Sequence, residues 1–437
     1  MIAGYFLIRY AEFMKDSHIK RVVIVGGGFA GLECARGLAN EAVFEVTLLD
    51  RTNHHLFQPL LYQVATATLA APDIARSLRG ILEGSENVTV LMDEVCGVDS
   101  DGKNVTGASG KVYEYDYLVV AAGGKTSYFG NDEWAKHTIG LKSLSDSYDV
   151  RRKVLENLEA AELTDNIAER ERLMTIAIVG GGPTGVELSG AFIELIQRSM
   201  KRNFRRLNVE TLKVILVEAG PRLLPPYDEE NSAYAQKRLE KLGVEVRTGT
   251  MVTDVSEGKL VLKDGEIEAG VILWAAGIQA EGITAYLPCE RNRAGKVTPE
   301  KDLSLKGYSD IFVAGDLVDM EDVKGVRVPG VAPAAAQMGK HIAKTLLKIA
   351  QPGNAENTRA GFKYLDKGSM AIIGRSHAVM EFGKIQMKGI IAWFAWLFIH
   401  ILFLVGFRSK LSVLLNWAWS YMSDVPGARV FSNRKDL

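Results

Sequence analysis

The chain has 437 residues, 47% of them hydrophobic and 24% charged, a length that exceeds one compact core and predicts two or three domains. Lys and Arg number 52 against 53 Asp and Glu, so the net charge of −1 gives no electrostatic reason to expect nucleic-acid binding. The three cysteines (Cys34, Cys96 and Cys289) are too far apart for a disulfide framework or a zinc motif, so we expect a reducing compartment, no metal site and no dithiol chemistry.

The first 17 residues contain a short apolar run. They lack the basic start, the long apolar stretch and the small-residue cleavage site of a secretory signal peptide. We therefore interpret them as an upstream extension or a misassigned start, and place the beginning of the first domain at residue 18.

The first predicted βαβ unit begins with the β-branched run RVVIV (21–25). Gly26, Gly28 and Gly31 follow it directly as GxGxxG. The first glycine permits a tight turn, the second lets the backbone approach a pyrophosphate, and the third lets helix and strand pack closely. Asp50 ends the next strand 19 residues after Gly31, where a carboxylate accepts hydrogen bonds from a ribose hydroxyl. This pattern predicts a dinucleotide site.

A second copy of the unit begins 154 residues later. TIAIV (175–179) precedes a turn that contains Gly180, Gly182 and Gly185. The acid of this copy is Glu218, which lies 33 residues beyond Gly185 instead of the usual gap of about 20. A basic stretch, residues 197–208, accounts for the extra length.

The residues around the second acid bear on which nicotinamide dinucleotide is bound. The Glu218 carboxylate repels a 2′-phosphate, so we expect NADH in preference to NADPH. Arg222 lies only four residues further on and attracts a phosphate, which leaves NADPH as the alternative.

Each copy has the order strand, glycine turn, helix, strand. This is the βαβ unit from which parallel sheets with helices on both faces are built. The chain is therefore predicted to be an α/β protein with two Rossmann-like dinucleotide-binding domains. A dinucleotide that stays bound and accepts a hydride is a flavin, and its partner is a nicotinamide. The glycines alone do not decide which domain holds which.

The C-terminal region carries two apolar segments. Residues 389–407 contain His400 as their only ionisable group, and as one helix they would extend about 28 Å against a hydrocarbon core of about 30 Å. Residues 411–422 are too short to span. Lys384, Lys388, Arg408 and Lys410 flank the first segment and four tryptophans lie in the two, which is typical of membrane interfaces. A buried core helix, a spanning helix and a two-helix hairpin in one leaflet all fit, and we favour the hairpin.

Three further segments resemble the two-dinucleotide-binding-domain flavoproteins. YDYLVVAAG (115–123) and VILWAAG (271–277) are similar to the strands that return the chain between the domains, and YSDIFVAGD (308–316) is similar to the flavin motif that ends in an aspartate, here Asp316. This resemblance implies FAD in the first domain (18–144 and 279–350), NADH in the second (145–278) and a membrane-associating helical region at 351–437.

The finer resemblance is to the type II NADH:quinone oxidoreductases. It rests on NHHLFQPLLYQVATATL (53–69), on PGVAPAAAQMGKHIAK (329–344) and on the Trp-rich C-terminus. It implies hydride transfer from NADH to FAD and two-electron reduction of a membrane quinone without proton pumping. A pyridine-nucleotide site without a secretion signal favours the cytoplasmic face of the inner membrane, and a homodimer is one option that the sequence leaves open. The chain has Pro333 where the family often has a glutamine, so only Gln337 is carried over to the quinone side.

The resemblance and the glycine motifs together give the candidate site residues. Glu187 and Gln337 are the candidate catalytic residues. The candidate FAD residues are Gly26, Gly28, Phe29, Ala30, Gly31, Asp50, Arg51, His55, Val95, Ala122, Gly123, Asp316 and Gln337. The candidate NADH residues are Gly180, Gly182, Pro183, Thr184, Gly185, Glu187, Glu218, Ala276 and Gly277.

Each catalytic candidate has a structural alternative. Glu187 also fits an acid stabilised by the helix dipole in a first turn, and Gln337 also fits a structural amide. His54 and His55 lack the third ligand of a metal site and are interpreted as part of a loop near FAD. Two other functions remain open at this point: a flavin reductase with a soluble acceptor, and a membrane redox sensor that binds FAD and NADH without turnover.

Overall fold

The computed structural model describes residues 19–197, 203–208, 211–351 and 359–423. The predicted N-terminal extension lies outside the described residues, as do parts of the basic stretch 197–208 and most of the polar stretch at 351–362.

The helices are named α1 to α11 in chain order. They are α1 (Phe29–Gly37), α2 (Leu61–Ala65), α3 (Ala71–Ile74), α4 (Leu78–Ile81), α5 (Leu144–Leu163), α6 (Ile167–Leu173), α7 (Pro183–Leu195), α8 (Glu229–Leu242), α9 (Ala332–Ile349), α10 (Ile390–Phe403) and α11 (Phe407–Ser423). Short 3-10 helices cover Gln58–Leu60, Asp132–Lys136, Gly282–Tyr286 and Gly315–Leu317.

The strands are named β1 to β23 in the same way. They are β1 (Lys20–Val25), β2 (Phe44–Asp50), β3 (His54–Leu56), β4 (Ala75–Ser77), β5 (Val88–Met92), β6 (Val95–Asp99), β7 (Asn104–Gly107), β8 (Val112–Glu114), β9 (Tyr117–Val120), β10 (Gly124–Thr126), β11 (Thr175–Val179), β12 (Lys213–Val217), β13 (Val244–Arg247), β14 (Val252–Ser256), β15 (Lys259–Leu262), β16 (Gly265–Glu268), β17 (Val271–Trp274), β18 (Ile278–Ala280), β19 (Ser304–Leu305), β20 (Tyr308–Val313), β21 (Ser369–Ile372), β22 (Ala378–Phe382) and β23 (Ile385–Gly389).

The described chain forms two compact units. Unit 1 comprises residues 19–55, 76–125 and 279–366, and unit 2 comprises residues 56–75, 126–278 and 367–423.

Unit 1 is built on a six-stranded sheet with the order β19-β20-β9-β1-β2-β5. All neighbours are parallel except β19 and β20. β1 lies between β9 and β2, at the point where the strand order reverses. Such points leave a crevice outside the carboxyl ends of the strands, where ligands bind. The strands carry continuous apolar runs such as Val22–Val25 because both faces of the sheet are covered.

Unit 2 repeats this arrangement with a parallel sheet of order β13-β12-β11-β17. β11 occupies the position that β1 has in unit 1, so the two glycine turns emerge at equivalent points of their sheets. The two parallel sheets confirm the predicted α/β class with two Rossmann-like domains.

Long-range backbone bonds hold residues 126–144 in unit 2: the Ile139 N–H donates to Ile272 O at 3.0 Å and Ile139 O accepts from Trp274 N at 2.9 Å, which extends the edge of the β11–β17 sheet. The Trp134 indole also donates to Asp254 at 3.0 Å.

The C-terminal region, predicted as a third region from residue 351, is divided between the two units: residues 359–366 belong to unit 1 and residues 367–423 pack within unit 2. The antiparallel sheet β21-β22-β23 lies so close to α7 that a Cβ on Gly190 would come within 2.9 Å of Gly374 N. Glu381 on β22 accepts from Asp228 N at 2.8 Å and from the Asn231 amide at 2.7 Å, at the start of α8.

The long apolar run at 389–407 is broken at residues 404–406 into α10 and α11. No helix within the described residues is both long enough and apolar enough to cross a membrane. Each helix has a buried side and an outward stripe. We call the two stripes together the apolar face, which consists of Ile391, Phe394, Phe398 and Leu402 on α10 and Leu411, Leu415, Trp419 and Met422 on α11.

The buried sides of these helices are held by specific bonds. Trp396 and Trp417 are buried, and the Trp417 indole donates to Gln63 Oε1 at 2.7 Å. Asp73 accepts from Ser412 Oγ at 2.6 Å and from the Asn416 amide at 3.0 Å. These bonds fix the rotation of α11 and therefore keep its apolar stripe outward.

Candidate active site

The first glycine turn follows β1. An added Cβ would clash at two of its three motif glycines and would have free space at the third. Gly26 has a φ of +103°, and a Cβ there would lie 2.3 Å from Ala121 O. A Cβ on Gly31 would lie 1.8 Å from Gly26 O. At Gly28, in contrast, a Cβ would meet nothing within 4 Å. Gly26 and Gly31 are therefore required by packing, whereas Gly28 borders free space.

The Asp50 carboxylate holds this turn. Its Oδ2 accepts from Gly27 N at 2.6 Å, and its Oδ1 accepts from the backbone N–H and the hydroxyl of Thr52, each at 2.7 Å. Each carboxylate oxygen has a further lone-pair direction, which leaves Asp50 able to accept from a ribose hydroxyl.

His55 lies under the same turn. Its Nδ1 is 3.0 Å from Gly27 O, and its ring meets that of Phe29 edge-on with centroids 5.0 Å apart. Burial lowers the pKa of His55, so the imidazole is neutral at pH 7. Nε2 is buried and has no hydrogen-bond partner among the described residues. A buried nitrogen without a hydrogen-bond partner costs free energy, so Nε2 is suited to bond a polar atom of a bound cofactor.

Two helices bring uncapped N-termini to this part of unit 1. α1 and α9 have neither a side-chain cap nor an acid in the first turn, unlike α5, α6 and α8, which have both. The two helices pack very closely, since a Cβ on Gly339 would lie 2.0 Å from Ala30 O and one on Gly37 would lie 2.6 Å from Ala343 Cβ. Open N-terminal N–H groups with the helix dipole favour a phosphate.

The remaining FAD candidates in unit 1 have defined places. Gly123 has a φ of +79° and borders open space, and Asp316 lies in a 3-10 turn with an oxygen 3.3 Å from the position of a Cβ on Gly330. Arg51 pairs with Glu281 at 2.8 Å. Val95 is buried in the core at the start of β6, and Ala122 follows the end of β9.

The second glycine turn reproduces the first. Gly180 has a φ of +110°, and a Cβ there would lie 2.8 Å from Ala275 C. A Cβ on Gly185 would lie 1.8 Å from Gly180 O, and one on Gly182 would meet nothing within 4 Å. The turn leads into α7, whose N-terminus has Pro183 in its first turn, no side-chain cap and no acid. Unit 2 therefore has the same open position at the same point.

Glu218 holds the second turn as Asp50 holds the first. Its Oε2 accepts from Gly181 N at 2.5 Å and its Oε1 from Gly220 N at 2.6 Å. The Arg222 guanidinium donates to Tyr227 O at 2.5 Å, to Ser232 Oγ at 2.8 Å and to Pro225 O at 2.9 Å. Arg222 is thus engaged within the protein, which favours NADH over NADPH.

The other NADH candidates flank this turn. Thr184 is exposed at the start of α7, and Ala276 lies after β17. Gly277 has a φ of +75°, and a Cβ there would lie 2.6 Å from Phe129 Cζ.

Glu187 is the most perturbed carboxyl group of the site. It lies on α7 one turn beyond the open glycine, and burial raises its pKa to about 8. The Ile372 backbone N–H donates to Oε1 at 3.4 Å, and the Trp396 side chain also stabilises the charged form, so both limit the rise. At pH 7 Glu187 therefore holds a proton. A helix dipole stabilises a negatively charged carboxylate, so the alternative role as a dipole-stabilised acid does not explain this protonated state.

A cavity of about 110 Å³ lies beside Glu187 within unit 2. Tyr62 and Gln63 form one wall, with the Gln63 amide donating to the Tyr62 hydroxyl at 2.9 Å. Burial raises the pKa of Tyr62 well above its usual value, and the Glu187 carboxylate adds to the rise once it has lost its proton. The cavity thus brings a protonated carboxyl and a phenol together.

Gln337 is fully engaged with the backbone of unit 1. Its Nε2 donates to Pro333 O and to Leu365 O, each at 3.0 Å, and its Oε1 accepts from Leu365 N at 2.9 Å. It fastens the segment at Leu365 to the first turns of α9.

Three residues of the site were not among the candidates. Tyr62 and Gln63 lie in the segment 53–69 and Trp396 lies in the Trp-rich C-terminus, but nothing in these mainly apolar segments distinguishes a residue that lines a cavity from a core residue. Gly339 does carry a signal: a glycine inside a helix costs about 1 kcal/mol relative to alanine, so its presence points to close packing.

The cysteines take no part in these sites. All three are free, and burial raises the pKa of Cys34 to about 12. No cluster of three or more His, Cys, Asp or Glu side chains within the described residues is placed to hold a metal ion.

Comparison with known proteins places most of the chain in one family. The model for pyridine nucleotide-disulphide oxidoreductases matches residues 20–339, and the model for the NDH2 C-terminal domain matches residues 367–424. A type II NADH:quinone oxidoreductase of Mycobacterium tuberculosis is 41% identical over 428 residues, which cover 95% of this chain and 90% of the relative. A type II NADH:quinone oxidoreductase of Haemophilus influenzae is 32% identical, covering 87% and 93%.

The fold is shared with solved structures. NDH2 from Plasmodium falciparum in complex with NADH superposes with a TM-score of 0.87 at 20% identity, covering 95% of this chain and 100% of that one. The sulfide:quinone oxidoreductase of Aquifex aeolicus gives a TM-score of 0.70 at 18% identity, covering 93% and 96%.

Proposed function

Because the chain belongs to the type II NADH:quinone oxidoreductases, we propose that the first glycine turn holds FAD and the second binds NADH. The chain oxidises NADH and passes two electrons to a quinone without pumping protons. This activity argues against the two other functions considered above, a soluble-acceptor reductase and a sensor without turnover. Bound FAD supplies the redox chemistry between the two substrates.

The observation that supports this assignment best is the pair of open positions at Gly28 and Gly182, each beside an uncapped helix N-terminus and a fixed acid. Unit 1 has in addition the unpaired Nε2 of His55 and the second uncapped helix, α9. These extra features fit the larger, permanently bound FAD. In unit 2 the Glu218 carboxylate fits the ribose hydroxyls of NADH.

Glu187 is proposed to hold the proton for quinone reduction. Reduction of a quinone to a quinol takes up two protons, and a carboxyl group with a pKa of about 8 is protonated at neutral pH and still able to release its proton. Gln337 is proposed as a positioning residue on the quinone side, because its amide already binds the backbone at both ends.

The protein is proposed to be a peripheral membrane enzyme attached through α10 and α11. The apolar face supports this, since Phe398 is 69% exposed and Met422 is 78% exposed. Attachment at the cytoplasmic face of the inner membrane puts the NADH site where NADH is available. A homodimer stays a prediction, which the mass of the detergent-solubilised protein tests.

The matched variants G28A and G182A test the cofactor assignment. Neither glycine has a positive φ, and an added methyl group meets nothing within 4 Å, so both variants should fold. We expect G28A to lose flavin from the purified protein, and G182A to keep its flavin while its KM for NADH rises about 10-fold or more, because the methyl group occupies phosphate space.

The visible spectrum under anaerobic conditions reads out both variants. In the wild type, NADH should bleach the flavin band and a short-chain quinone should restore it. Loss of flavin from G182A instead of G28A would reverse the assignment of the two turns. Bleaching without recovery in the wild type would point to another acceptor.

Discrimination between NADH and NADPH is expected to depend on Glu218. In the E218Q variant the repulsion of a 2′-phosphate is removed, while Gly181 N keeps an oxygen to bind. We expect kcat/KM for NADPH to rise about 10-fold and that for NADH to fall about 10-fold, each corresponding to about 1.4 kcal/mol. Steady-state kinetics with both dinucleotides measure this. An unchanged NADPH/NADH ratio would show that Glu218 only holds the turn.

A further inference from the structure

We propose that the apolar face docks on a membrane surface rich in anionic phospholipid headgroups, which the cations Arg408 and Lys384 beside this face recognise. This proposal rests on the membrane attachment proposed above and adds that the strength of attachment depends on anionic lipid.

The charge of this region differs from that of the whole chain. Residues 367–423 contain six Lys or Arg and a single acidic residue, Glu381, although the full chain has a net charge of −1. Glu381 is turned inward, since its Oε1 accepts from Asp228 N and from the Asn231 amide. The charged side chains at the outer surface of this region are therefore cations.

Two of the cations have exposed apolar side chains directly beside them in the chain. Arg408 occupies the first turn of α11, one turn before Leu411 on the same exposed stripe, and next to Phe407, which is 81% exposed. Lys384 lies between β22 and β23, between the exposed side chains of Phe382 and Ile385. Neither cation forms an ion pair or a side-chain hydrogen bond with another described residue.

Helix stability does not account for Arg408. A cation in a first turn opposes the helix dipole, and the first turn of α11 contains no acid to offset it. Lys410 in the same turn is placed differently, because its Nζ donates to Leu402 O at 2.9 Å and so caps the end of α10. The other three cations of the region are also engaged: Lys388 pairs with Glu230, Arg375 donates to Tyr421 O, and Lys367 lies over the Phe403 ring. Arg408 and Lys384 are therefore the two cations best placed to meet an external anion.

A lipid surface supplies that anion in the right place. Apolar side chains enter the acyl boundary while cations beside them reach the phosphate level, and each cation near an anionic surface strengthens binding by about fivefold. Arg408 lies at the joint between the two helices. Lys384 lies in the β22–β23 turn, where a Cβ on Gly368 would come within 3.2 Å of Phe382 Cβ. Lys367, next to Gly368, lies over the ring of Phe403, the last residue of α10. Both cations therefore lie toward the end of the α10 stripe at which α11 begins.

Vesicle co-sedimentation of the full-length protein tests the proposal. Vesicles of phosphatidylcholine alone are compared with vesicles containing phosphatidylglycerol, at low and high salt. We expect the wild type to bind the anionic vesicles at least 10-fold more tightly at low salt, and the double variant R408Q/K384Q to lose about 20-fold on anionic vesicles and nothing on neutral ones. The control K237Q/K263Q removes two exposed cations of unit 2 that lie outside this region and should behave like the wild type.

The outcomes separate this proposal from the attachment on which it rests. Equal wild-type binding to both vesicle types, or equal loss by R408Q/K384Q on both, would overturn the charge recognition and leave attachment standing. Binding to neither vesicle type would overturn attachment itself. Pairing of two copies in solution, with no gain on vesicles, would assign the face to a second copy of the chain and overturn the lipid proposal.

Discussion

The E187Q variant is expected to reduce quinone with NADH about 100-fold more slowly than the wild type, the usual size of the loss when a general acid is removed. The quinone step is slowed because the amide cannot supply the proton. NADH should still bleach the flavin, because the substitution leaves both dinucleotide turns intact. Stopped-flow measurement of the two half-reactions separates these steps. Unchanged turnover with quinone would reject the role of Glu187.

The pH dependence follows from the raised pKa of Glu187. The proton donor is present below pH 8 and is lost as the pH rises through about 8, so wild-type quinone reduction should fall in this range. The E187Q variant should show no such fall. The matched control E159Q changes an exposed glutamate of α5 and should keep the wild-type profile.

The same variant is expected to be more stable than the wild type. The folded pKa of Glu187 lies above the unfolded value, so between about pH 4.5 and 8 the folded protein keeps a proton that the unfolded chain releases. Stability therefore falls as the pH rises through this window, and E187Q avoids that loss. At pH 7 we expect a gain of about 1–3 kcal/mol in the free energy of unfolding, measured by denaturant titration at several pH values. A stability difference that does not grow from pH 5 to pH 8 would contradict the buried, protonated state.

The double variant F398Q/W419Q is expected to leave the membrane. Phe398 and Trp419 are 69% and 60% exposed on the apolar face, and moving each side chain out of lipid costs about 1.5–3 kcal/mol. Together they should lower the membrane-bound fraction at least about 100-fold in flotation experiments. Oxidation of NADH with a water-soluble quinone should be unaffected, because neither side chain lies in the core.

Point variants are preferable to deletion of residues 385–437. Deletion would remove the buried Trp396 and Trp417 and the strand β23, and would leave Gln63 without its hydrogen-bond donor. The control L163S/I167S changes two side chains of unit 2 that are 77% and 70% exposed but lie outside the apolar face. If it were released as fully as F398Q/W419Q, the attachment would not be specific to α10 and α11.

The sequence by itself determined the features that depend on a few consecutive residues. The spacing of Gly26, Gly28 and Gly31, repeated 154 residues later, identifies two strand–turn–helix units. At Gly26 the positive φ, and at Gly31 the close contact of helix and strand, permit only glycine, whereas Gly28 leaves free space. The acids at the ends of the following strands, Asp50 and Glu218, were predictable for the same reason, since parallel pairing brings adjacent strand ends to one edge.

Only the tertiary structure decided what depends on residues far apart in the chain. The pKa of Glu187 is set by burial against Ile372 and Trp396, which lie about two hundred residues away, so no local pattern could reveal it. The bonds of Gln337 to Leu365, and the position of residues 126–144 on the sheet of unit 2, are likewise long-range. The composition of the apolar C-terminus is common to core helices, spanning helices and surface helices, so it does not distinguish them. The break at residues 404–406 and the bonds from Ser412, Asn416 and Trp417 make it a pair of surface helices, because they decide which side of each helix is covered and which is left outward.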